Sequence, residues 1–180
     1  MILSGMQQAR DAEGILKLLS EIKPPSPSAV ASLASMAAGS YARVIAQKLG
    51  PKAALELIDR MEAAVPFDEL KKGEAAAPPP PAGRVAFSQV EGTIYSIAMG
   101  RHDLLESDGK PEQALKALED ALSKLPEGSR YRSPIQSKLR LAKLPGSIAP
   151  ELKQERGYGG FTSLESMRGK VVIVDFTAHW

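Results

Sequence analysis

Four consecutive prolines, Pro78-Pro79-Pro80-Pro81, set the tightest local limit on what this chain can fold into. Proline lacks an amide hydrogen and its ring collides with the preceding turn, so neither a helix nor a central strand can run through them. Such a run favours extended polyproline II, and with Gly73 and Gly83 at its borders residues 73–83 read as a linker. It divides a helical block over 1–72 from a second over 84–145. A semi-rigid spacer accounts for the composition. A docking site for a proline-binding module is the functional alternative, and no other feature supports it.

In the first block, Ile15, Leu18, Leu19 and Ile22 recur at helical spacing, predicting an amphipathic helix over 6–22. Lys23-Pro24-Pro25 ends it, and Ser26-Pro27 has the form of an N-cap followed by proline at the first helical position. The helix over 27–49 is rich in alanine and serine, with Gly39-Ser40 as a point of fraying or bending. Gly50 closes it and Pro51 opens a third helix to Val65, with Leu55, Ile58, Met61 and Ala64 on one face. Short connections imply antiparallel neighbours.

In the second block the pattern predicts helices over 84–106, 111–125 and 131–144, with a turn at Gly109-Lys110-Pro111. The spacing of Gly109, Ala114, Leu118, Ala121 and Pro126 resembles the second half of a tetratricopeptide repeat, which implies a close antiparallel helical hairpin. Arg101 and His102 depart from the first half of that motif, and one copy only is legible. The last helix carries Arg130, Arg132, Lys138, Arg140 and Lys143 with no acidic residue among them. It reads either as a solvated face balanced by Glu112, Glu119 and Asp120, or as a basic face for an acidic partner or lipid headgroups.

Near the end of the chain the pattern changes. Val171-Val172-Ile173-Val174 is unbroken and β-branched, which predicts a buried strand, and Asp175 interrupts it before Phe176. A carboxylate at the end of a buried strand is either hydrogen-bonded or functional. The stretch from Gly169 to Trp180 resembles the first central strand of the thioredoxin superfamily. Upstream, Ala149-Pro150-Glu151-Leu152 and then Ser163-Leu164-Glu165-Ser166-Met167-Arg168-Gly169-Lys170 are similar to the lead-in of TlpA-type thiol-disulfide oxidoreductases. The resemblance implies a Cys-x-x-Cys motif directly after the tryptophan. It also gives Asp175 a role in moving the protons of that pair, and Trp180 a place flanking its first cysteine. The chain contains no cysteine, so the expectation is a truncated redox protein, inactive as given.

Other chemistry has little footing. A net charge of +2 does not argue for nucleic acid or an anionic membrane. His102 and His179 are far apart, so no metal site is expected; no cofactor is expected either. Gly157-Tyr158-Gly159-Gly160 lacks the ending of a phosphate loop and reads as a flexible lead-in, and no serine sits in a nucleophile elbow. No run approaches the roughly 20 apolar residues of a membrane span, and no secretory signal follows Met1.

The expected architecture is therefore mainly α, a repeat-like helical region followed over 146–180 by the opening of a thioredoxin-like α/β domain. The expected function of the complete protein is thiol-disulfide exchange with protein thiols and disulfides, with the helical region as scaffold or partner-binding module. Two alternatives are a non-enzymatic helical adaptor with a degenerate tail and a peroxiredoxin-like peroxidase, the latter disfavoured by Trp180. The resemblance implies the cell envelope or periplasm; a native start at Met1 implies the cytoplasm.

Overall fold

The computed structural model describes residues 2–78, 87–151 and 162–175. The chain divides into two units, Met1–Leu139 and Arg140–Trp180. The first is built from helices: α1 (Ile2–Gln8), α2 (Ala12–Glu21), α3 (Pro27–Met36), a π-helical turn (Ala37–Tyr41), α4 (Ala42–Leu49), α5 (Pro51–Ala64), α6 (Phe67–Ala76), α7 (Gln89–Ser107), α8 (Pro111–Lys124) and α9 (Arg132–Ala142). The mainly α class holds.

Local chemistry explains most of the boundaries. The helix expected over 6–22 is two, because Arg10 adopts a left-handed φ of 54° and Asp11 starts α2 as its N-cap, accepting the Gly14 N–H at 2.9 Å. Ser26 caps α3 as its sequence suggests, accepting the Ala29 N–H at 3.2 Å. The bend expected at Gly39-Ser40 takes the form of the π turn, in which the Ala42 N–H reaches the Ala37 carbonyl. Gly50, at φ 92°, ends α4 in a backbone conformation that only glycine adopts without strain, and Pro51 opens α5.

Two expectations need correction here. The expected linker begins at Gly73, but α6 runs on through Ala76. This helix has one buried residue, Leu70, and therefore no apolar periodicity to announce it. Pro79, Pro80 and Pro81 lie outside the described residues. Nor do the residues on either side of the linker have separate cores. Val90, Ile97 and Leu104 of α7 share one cluster with Ile15, Ala34, Ile45, Leu57 and Ile58 of the preceding helices. A second cluster joins Ala98 of α7 to Leu118, Ala121, Leu125, Ile135 and Leu139. α7 is thus the central helix, with a different set of partners on each of two faces.

The hairpin of α7 and α8 is present, with Ala114, Leu118 and Ala121 buried. Alanines at these positions let the two backbones approach. Between α7 and the π turn the approach is closer still: a β-carbon on Gly100 would overlap the Ala38 carbonyl oxygen. The path Pro27–Leu49 is 23 residues long and contains an 18-residue window of mean hydropathy 1.3, which by length and composition alone is enough to cross a membrane. Half of that window is buried in the helical core, which accounts for its apolar character.

In the second unit, the described residues hold a 3-10 turn, Glu165–Met167, and no strand. The strand expected over 171–174 is absent: these residues run without hydrogen-bonded partners among the described residues. Val171 is 93% exposed and Ile173 90%. A β-run without a neighbouring strand cannot satisfy its backbone or cover its side chains.

Candidate functional site

Asp175 is exposed and lies in no regular element. Trp180, His179, Phe176 and the glycine-rich 157–160 stretch lie outside the described residues. The two lead-in pieces do meet: the Leu164 N–H donates to Glu151 Oε1 at 2.8 Å. Ile148, Ala149, Glu151, Leu164, Glu165 and Arg168 line a shared hollow. Gly169, at φ 84°, turns the chain after the 3-10 turn.

His102, expected to have no metal-binding partner, sits 1% exposed on α7 beside two carboxylates. Its Nδ1 lies 3.2 Å from Asp103 Oδ1 and 3.8 Å from Glu106 Oε2. Among the described residues, this is the group whose ligand atoms could surround a cation. However, the Lys138 ammonium from α9 is 3.2 Å from Asp103 Oδ1, so one of the two carboxylates already has a cationic partner. The arrangement serves to satisfy a buried imidazole and to tie α9 to α7.

Of the basic residues at the last helix, Arg130, Arg132 and Lys138 find partners within the fold. Arg132 donates to the Leu122 and Leu125 carbonyls at 2.8 Å each, capping the C-terminal end of α8. Arg130 lies over the rings of Phe87 and Tyr131, at 5.1 and 4.9 Å from their centroids. Tyr131 in turn stacks on Tyr95 at 5.0 Å. These uses of charge are tertiary, and nothing in the local sequence announces them.

A further ionic network links α5, α7 and α8. Arg101 donates to Asp59 Oδ1 at 2.6 Å and to Glu62 Oε2 at 2.8 Å, and Lys124 reaches Glu62 Oε1 at 3.3 Å. Burial pushes the Glu62 carboxyl up. The hydrogen bond and charge of Arg101, joined by Lys124, outweigh that and hold it below the ordinary carboxylate value. Burial pulls the Arg101 guanidinium down, and its bonds to Glu62 and Asp59 raise it further than burial lowers it.

The most site-like concavity lies between the π turn with α4 and the exposed face of α7. It encloses about 500 Å³ and is lined by Arg43, Gln47, Tyr95, Met99, Gly100 and Asp103, among others. Ser35, Ser96 and Ser107 also line it. Their hydroxyls donate to the Ala31, Gly92 and Leu104 carbonyls at 2.9, 2.9 and 2.8 Å. With those protons engaged, the serines present lone pairs to the groove, and none is activated by a base. Comparison with family models, with curated proteins and with solved structures returns no match.

Proposed function

We propose that this chain carries the helical scaffold and the opening segment of a thioredoxin-like thiol-disulfide oxidoreductase. The reading rests on one observation, the ordered run of Ala149-Pro150-Glu151-Leu152, the Ser163 to Lys170 turn, the Val171 to Val174 run, Asp175 and Trp180. In such an enzyme a thiolate attacks a disulfide sulfur and releases one substrate thiolate, leaving a mixed disulfide; the neighbouring thiol, once deprotonated, then attacks the enzyme's own sulfur, closing the enzyme disulfide and releasing the second substrate thiolate. Asp175, once covered by a sheet, would accept and return the proton of that second thiol. The 180 residues contain no cysteine and perform no such exchange themselves. The gene sequence following Trp180 tests the proposal. A Cys-x-x-Cys there supports it, a lone cysteine points to peroxidase chemistry, and the absence of both overturns it.

The serine-lined groove favours a second reading, a helical adaptor that binds an extended segment of a partner protein. It predicts that Arg43→Ala and Gln47→Ala, at two exposed residues lining the groove, weaken partner capture without changing the helical content. Retention of full binding by both variants would count against it.

A further inference from the structure

We infer that α6 is a strap, held shut against the N-terminal end of α7 by the single carboxylate of Glu74. The helix is seated lightly. Leu70 is its one buried side chain, Phe67 is partly covered, and Gly73 weakens its last turn. Non-helical Val65 and Pro66 join it to α5. Against this light seat stands one two-pronged contact: Glu74 Oε2 accepts the Ser88 hydroxyl at 2.8 Å, and Oε1 accepts the Val90 N–H at 2.9 Å.

The physics of the α7 terminus makes that contact strong for its size. The first-turn amides of a helix have no partner within it, and the helix dipole favours a negative charge beside them. Ser88 Oγ accepts the Glu91 N–H at 3.1 Å, so the cap of α7 and the latch on α6 form one network. Beneath the strap is a hollow of about 580 Å³, bordered by Ser26, Pro27, Leu70, Gly73, Phe87 and Gln89. Opening α6 breaks one latch and withdraws one leucine. It frees the Val90 N–H and the Ser88 hydroxyl and uncovers the seat of Leu70. Opening α5 or α7 instead breaks into the shared core. The domain thus has a low-lying open state confined to this corner.

Amide hydrogen exchange on the whole chain tests the device, comparing residues 70–76 of α6 with residues 115–124 of α8. The decisive variant is Glu74→Ala. Alanine is the better helix former, so local propensity alone predicts slower exchange in α6. Loss of the latch predicts exchange faster by about ten- to a hundredfold, from hydrogen bonds to a charged group. Faster exchange in α6 and at Val90, with α8 unchanged, is the expected result. Glu74→Gln, which keeps an acceptor but no charge, should fall between. Unchanged or slower exchange in α6 overturns the latch. An equal acceleration in α8 also overturns it, because α6 would then open only with the core.

Discussion

Glu62 is the hinge of the ionic network, because it answers two cations from two helices, Arg101 of α7 and Lys124 of α8. Its depressed carboxyl stabilises the fold at any pH above its ordinary value of 4.5. That contribution fades as pH falls below this value and through the lower folded one. Stability of the native chain should therefore drop on acidification below that point. In Glu62→Gln the drop should be shallower and the starting stability lower by about 1.5–3 kcal/mol. Parallel acid titrations of the two proteins, followed by circular dichroism, check it; identical slopes would reject the assignment. Gly100 and Gly39 give a pair with opposite signs. Gly100→Ala forces a β-carbon onto the Ala38 carbonyl and should destabilise by about 1–3 kcal/mol, whereas Gly39, with open space around it, should gain up to about 1 kcal/mol as alanine. Urea midpoints at constant slope read both.

Among the elements, the α7–α8 hairpin is the one whose side-chain pattern and packing agree most closely. Ala121 is 4% exposed in the seam, within the cluster that holds Ala98, Leu118 and Ile135. Ala121→Leu should overfill that seam and cost about 1–3 kcal/mol, measured by thermal melting. A neutral effect would mean that the helices can separate without penalty. The hairpin is legible because alanine spacing, a glycine turn and a terminal proline all act over a few residues. α6 is illegible for the opposite reason. One buried leucine makes no pattern, and its remaining hold, Glu74 on α7, spans 14 and 16 residues to Ser88 and Val90.

Over the whole chain, the shared core of α3, α4, α5 and α7 has a direct consequence. A protease site inserted between Pro78 and Phe87, once cut, should leave two fragments that co-elute until denaturant is added, because Val90, Ile97 and Leu104 remain seated among Ile45, Leu57 and Ile58. Separation of the fragments in buffer would mean that the two helical blocks fold independently. The second unit should behave differently. Amides of residues 171–175 should exchange near unprotected rates, since the described residues offer them no ladder. Strong protection there in a monomeric chain would show that a strand partner has been found.

The amino-acid sequence by itself determined the helical class, the caps at Ser26 and Pro51, the stop at Gly50 and the alanine seam of the hairpin. Each depends on torsional preference or on apolar spacing within a few residues. Only the tertiary structure decided that the residues flanking the prolines share a core, that Arg130, Arg132 and Lys138 find partners elsewhere in the fold, and that Glu62, Glu74 and Asp103 make polar contacts between helices. Those outcomes depend on which distant surfaces meet, and a charge or a buried histidine carries no local sign of its partner. The same reason governs residues 171–174: β-propensity specifies an extended run, but a strand exists only where a second strand lies beside it.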